Sequence, residues 1–157
     1  SGKVENLIDE AVREVRSISR NLQPSALQQL GLMAALNDHI NRMQQISARP
    51  ELTFQYYNLP KIIDKKTSLQ IFRIVQETLN NALKYAEAEK IEINIDKIDS
   101  ILCFKISDNG KGFDPQNAIL SNGLHNMRKR ADEMGADLEI NSQIDVGTFV
   151  NLKHVVH

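Results

Sequence analysis

The sequence predicts an α+β fold: a two-layer sandwich in which one mixed sheet of about five strands carries three helices on a single face, with a further long helix in front. Three observations predict it. Apolar residues recur at helical spacing in four stretches, and they alternate with polar residues at strand spacing in runs lying between those stretches. Helices and hairpin strands in this irregular order stack the helices on one side of the sheet. The 157 residues are 41% hydrophobic and 25% charged, which is ordinary globular usage for one compact domain with an appendage.

The first element is a helical seam. Val4, Ile8, Ala11, Val15, Ile18 and Leu22 follow one another in steps of four and three, with Leu7 and Val12 widening the stripe. Such a helix cannot bury its stripe against itself, so it requires a partner, either its own domain or a bundle. Pro24 breaks the pattern and a second helix opens there or at Ser25, carries Leu27, Leu30, Leu32, Leu36, Ile40 and Met43, and ends at Arg49-Pro50. Residues 52–57, rich in aromatic and β-branched side chains, read as a strand closed by Pro60. A long helix over 68–86 is apolar on more than one face and therefore largely buried.

Ile91, Ile93 and Ile95 alternate with polar residues, as do Leu102, Phe104 and Ile106, and a turn near Asp99-Ser100 makes the two runs a hairpin. Residues 108–123, rich in Gly, Asn, Asp and Ser, are long enough to be a functional loop. A third domain helix spans 124–134 and stops at Gly135. Two last strands, about 137–142 and 148–155, flank a turn ending at Gly147.

Composition excludes several functions. Nineteen Lys and Arg against 20 Asp and Glu leave a net charge of −1, which excludes a strongly basic nucleic-acid binder. The single cysteine, Cys103, permits no internal disulfide, and a cytoplasmic setting is expected. No apolar run approaches the ~18 residues of a membrane span, and residues 1–5 lack a signal-peptide layout.

Candidate chemistry lies in four places. Glu77, Asn81 and Lys84 share one helix face at positions i, i+4 and i+7, and an acid, an amide and a cation suit Mg²⁺ and phosphate; a solvated polar stripe would read the same. In Asp108-Asn109-Gly110-Lys111-Gly112-Phe113 the glycines permit close approach to a flat ligand and Asp108 can accept from an exocyclic amine, although a plain turn uses the same residues. Gly123-Leu124 at a helix start would offer free N–H groups to phosphate, or serve as an ordinary cap. Gly147-Thr148 could line the same pocket or simply make a turn and a strand start.

The order of these motifs is informative. Gln76 to Ala86, Asp108 to Phe113, Gly123 to Arg130 and Gly147-Thr148 resemble the successive nucleotide-binding signatures of the Bergerat-fold ATPases, as found in histidine kinases of two-component signalling. Upstream, the run from Ile18 to Leu32 with its Leu-Gln-Pro joint is similar to the second dimerisation helix of the subfamily of nitrate and membrane-fluidity sensors. The resemblance implies a dimerisation-helix segment at 1–23 and an ATP-binding catalytic domain at 24–157. It implies that Asn81 holds Mg²⁺, Glu77 polarises water or the incoming imidazole, Lys84 touches phosphate, and Tyr85 belongs to the ATP-binding residues. It further implies that Asp108 accepts from the adenine amine, Gly110 and Gly112 give the base room, Gly123 and Leu124 close on the phosphates, and Thr148 reaches the base. Residues 114–122 would form a short lid.

The resemblance also implies partners: ATP, a phosphoacceptor helix, a response regulator and, in the full-length protein, a second protomer, with a parent that could be membrane-bound. The family's acceptor is a histidine followed by an acid, and none of His39, His125, His154 and His157 fits that pattern. The acceptor helix is therefore expected outside this chain, which would bind ATP without autophosphorylating. The alternatives are an anti-sigma-type serine kinase, against which the front helix argues, and a non-catalytic nucleotide- or partner-binding module. Cys103 reads as core, Arg128-Lys129-Arg130 as a solvated face with a minor option on phosphate, and Tyr56-Tyr57 as half buried.

Overall fold

A computed structural model describes residues 25–60, 63–114 and 118–156, without the side chains of 85 and 118–122; the predicted seam helix lies outside these residues. The elements in chain order are α1 (Ser25–Leu30), α2 (Leu32–Ile46), β1 (Glu51–Tyr57) and α3 (Lys65–Asn81), which runs into a π-helical turn (Ala82–Ala86). They continue with β2 (Lys90–Ile98), β3 (Ile101–Asp108), α4 (Ala118–Met134), β4 (Asp137–Gln143) and β5 (Gly147–Val155).

The five strands form one sheet in the order β1-β2-β3-β5-β4. β1 runs parallel to β2 and every other pair is antiparallel, so the sheet is mixed as expected. Register aligns apolar rows across it: Ile93 faces Ile106, Ile106 faces Val150, and Val150 faces Ile140. The helices cover these rows with Leu36 and Ile40 from α2, Ile71, Val75 and Leu79 from α3, and Met127 and Ala131 from α4, all buried. Each large side chain so buried contributes about 1.5–3 kcal/mol. The opposite face presents Glu92, Asn94, Lys105, Glu139 and Lys153 at the alternate positions, and among the described residues the helices cover only the apolar face.

Two boundaries differ from expectation for local reasons. The single helix predicted from residue 25 is broken at Gly31, whose φ of +90° turns the chain between α1 and α2. α3 starts earlier than the apolar periodicity indicates because Asp64 caps it, accepting from the Thr67 N–H at 2.8 Å and the Thr67 hydroxyl at 2.7 Å.

Candidate functional site

The site is assembled where the C-terminal ends of α3 and β3 meet the start of β5 and the side of α4. Asp108 ends β3 directly opposite Thr148 of β5. At Asn81 the α-helix gives way to the π-helical turn, and this widening sets Ala82 and Ala86 beside Asn81 on the wall of the cavity.

The loop after Asp108 is held by backbone contacts. Asn109 Oδ1 accepts from the N–H groups of Glu89 at 3.0 Å and Lys90 at 2.9 Å, tying the loop to the start of β2. The Lys111 N–H donates to the Ala86 carbonyl at 2.6 Å, and the Lys111 carbonyl accepts from the Asp145 N–H at 2.7 Å. Gly110 lies so close to Ala86, and Gly112, at φ +64°, so close to the Gln143 carbonyl, that a Cβ on either would collide with backbone. The expected role of Gly110 is thereby refined: the space its missing side chain frees is taken by Ala86, so it allows the loop to dock on the π-helical turn rather than making room for a base.

Asn81 and Asp108 line one cavity, together with Gly112, Leu124 and Thr148. Its remaining wall is largely apolar, with Ile106, Met127, Ile140 and Val150 among its residues. An apolar slot with a carboxylate on its wall suits a flat heterocycle bearing a donor. Burial raises the Asp108 pKa above the usual carboxylate value, opposed by the N–H groups of Gly110 and Thr148. The Gly110 N–H donates to Asp108 Oδ1 at 2.9 Å, which fixes the carboxylate's orientation.

The other expected residues are placed differently. Glu77 is partly buried outside the cavity wall, against α4: a Cβ on Gly123 would lie 2.6 Å from Glu77 Oε1 and 3.6 Å from Asn81 Nδ2. Lys84 is exposed on the π-helical turn and is not part of the wall, and the Tyr85 side chain lies outside the described residues. The expectation that Gly123 opens a helix is corrected. α4 begins at Ala118, so Gly123 sits in its second turn, where an N–H is committed to the helix and not free for phosphate. Ala118, Ile119 and Leu120 have no residue that ends a helix, so the helical pattern continues upstream of the glycine.

Sequence reasoning missed Ser142 and undervalued Asn109. Ser142 Oγ accepts from the Phe113 N–H at 2.8 Å and lies 2.8 Å from Thr148 Oγ1. The signal available was only its place four residues after Leu138 on an alternating strand. Cys103 is buried, on the sheet face opposite the helices, where it pairs with Asp96 and Lys153. Arg130 donates to Gln70 Oε1 at 3.1 Å on the α3–α4 seam, while Arg128 and Lys129 are exposed. Tyr56 and Tyr57 are 47% and 57% exposed. His39 is stacked edge-on to Phe72, 5.7 Å between ring centroids. Among the described residues no helix is long and apolar enough to cross a membrane.

Residues 66–155 match the family described as histidine kinase-, DNA gyrase B- and HSP90-like ATPases. The chain is 31% identical over 157 residues to the oxygen sensor histidine kinase NreB of Staphylococcus carnosus, covering 98% of this chain and 44% of that protein. It is 31% identical over 152 residues to the sensor protein VraS of Staphylococcus aureus, covering 96% and 43%. The chain thus spans less than half the length of these relatives. In fold it is similar to the histidine kinase domain of a blue-light-activated kinase from Erythrobacter litoralis, with a TM-score of 0.67 at 20% identity over 80% of this chain and 61% of that one. Histidine kinase AdeS of Acinetobacter baumannii superposes with a TM-score of 0.68 at 14% identity, covering 99% and 83%.

Proposed function

Because the chain belongs to the ATP-binding family of histidine kinase-, DNA gyrase B- and HSP90-like ATPases, we propose that it is the catalytic part of a sensor histidine kinase. It would move the γ-phosphate of ATP onto a histidine of a dimerisation helix, supplied by the same or a partner protomer. The observation that carries this reading is the shared cavity of Asn81 and Asp108, which offers a hard oxygen ligand and an acceptor for a purine amine within one slot.

In this reading Asp108 accepts from the adenine amine, the apolar walls sandwich the ring, and Thr148 completes the polar edge. Among the described residues no three His, Cys, Asp or Glu are grouped to hold a metal. A Mg²⁺ ion would therefore be held by Asn81 together with nucleotide phosphates and water, and would supply charge neutralisation. The imidazole nitrogen attacks Pγ as the bond from Pγ to the β–γ bridging oxygen breaks, ADP leaves, and Glu77 accepts the imidazole proton. Lys84, exposed near Asn81, lowers the cost of bringing the phosphates into the mouth. Residues 1–23 serve as a dimerisation helix of a homodimer, the setting is the cytoplasm, and a response regulator receives the phosphate.

Melting in the presence of Mg-ATP tests the reading. At a hundredfold excess over Kd the ligand stabilises the fold by about 2.7 kcal/mol, or roughly 5–10 °C in Tm, and Asp108→Asn removes most of that shift. A wild-type protein that melts at the same temperature with and without Mg-ATP ends the nucleotide reading. With the acceptor helix supplied, the phosphate gained is acid-labile and alkali-stable; the opposite lability would indicate a serine kinase.

A further inference from the structure

Asp108, Thr148 and Ser142 form one row across three strands, since Asp108 pairs with Thr148 between β3 and β5 and Thr148 pairs with Ser142 between β5 and β4. The first two line the cavity and Ser142 does not. We infer that Ser142 is a positioning residue that sets the polarity of the Thr148 hydroxyl, turning it into a donor toward a ring nitrogen of the bound purine. This inference rests on the nucleotide reading above and assigns a specificity device within it.

Proton counting leads to that assignment. A serine hydroxyl has one proton and two acceptor sites. The Phe113 N–H can only donate, so at 2.8 Å it occupies one acceptor site of Ser142 Oγ. The single Ser142 proton then has two destinations: Thr148 Oγ1 at 2.8 Å, or the Gly147 carbonyl at 3.4 Å. The shorter contact is near the ideal for O–H···O and the longer is at the limit of a hydrogen bond. With Ser142 donating to Thr148, the Thr148 proton is left to point at the cavity. The wall then presents an acceptor on Asp108 and a donor on Thr148 side by side. That pattern matches the amine and ring nitrogen of adenine and opposes guanine, which offers a carbonyl and a ring N–H there. The Phe113 bond couples this polarity to the loop that carries Gly110 and Gly112.

The test measures Kd for Mg-ATP and for the triphosphate of unsubstituted purine riboside, which keeps the ring nitrogen and lacks the amine. Ser142→Ala should weaken both nucleotides by the same factor, about tenfold, the worth of one neutral hydrogen bond. Asp108→Asn should weaken ATP alone. The double variant Ser142→Ala/Thr148→Val should bind no more weakly than Thr148→Val, because Ser142 acts through that hydroxyl. Independent, additive losses, or unchanged affinity in Ser142→Ala, overturn the inference while leaving the nucleotide reading in place. Absence of ATP binding by the wild type strikes that reading itself. If Ser142→Ala does not fold, the isosteric pair Ser142→Thr and Ser142→Val decides: affinity is kept by the first and lost by the second, and equal affinities overturn the inference.

Discussion

The backbone carbonyl of Asp108 occupies the space that a side chain on Gly147 would need. Asp108, for which we propose the contact to the purine amine, and the turn that starts β5 are thus in direct backbone contact, and strand pairing at that point fixes the pocket's polar edge.

Gly147 also holds a φ of +137°, a region that side chains resist. Gly147→Ala should destabilise the fold by about 2–3 kcal/mol, since both the collision and the dihedral act against it. Thermal melting should show a Tm lower by about 5 °C or more. The remaining folded protein should show little Mg-ATP stabilisation, because Asp108 can yield only by leaving its place.

Gly123→Ala should separate stability from catalysis. In a helix interior alanine is favoured over glycine by roughly 0.5–1 kcal/mol, and here the colliding atom is the end of the flexible Glu77 side chain. Melting temperature should hold or rise slightly. Phosphoryl transfer to a supplied acceptor helix should fall on the order of tenfold, because Glu77 is displaced from the transfer geometry. Equal transfer rates in variant and wild type would remove Glu77 from the mechanism.

Asp108→Asn should leave the nucleotide-free protein as stable as the wild type, or more so, at pH 7. A carboxyl whose folded pKa is raised by burial favours the folded state below its unfolded value, and that advantage is lost as pH rises through the folded value. At neutral pH the charged carboxylate is therefore a burden, which asparagine lifts while still accepting from the Gly110 N–H. Urea melts at pH 7 and pH 4 check the sign: the variant's advantage should shrink at the lower pH.

Acid should destabilise the protein through His39. Burial lowers its pKa from 6.5, with Asp38 opposing and Arg42 adding to the effect, and its Nε2 is buried without a hydrogen-bond partner. Its contribution to stability is present above the unfolded pKa and is lost as pH falls through the folded one. His39→Leu should flatten the Tm profile between pH 7 and pH 5, and a variant profile parallel to the wild type would exclude His39 as its source.

The helices and strands were legible because their signals are local. Alternation in Ile91, Ile93 and Ile95 and in Leu102, Phe104 and Ile106 is enough to assign a buried face, and Asp108 falls at a strand end for the same reason. The start of α4 was not legible, because a glycine in a permissive helical stretch resembles a cap. The Gly31 break was missed for the converse reason: the flanking apolar spacing continues through it, and only φ records the turn.

Sequence alone determined the chemistry available, since side-chain identity sets which groups can accept from an amine or ligate a hard cation, and motif order pointed to a nucleotide. Tertiary structure decided which of those groups meet. Asn81 and Asp108 are brought to one wall by packing α3 on the sheet, and Ser142 reaches Thr148 only through the β4–β5 register. Such contacts depend on the pairing of distant segments, and no local pattern of residues encodes that pairing.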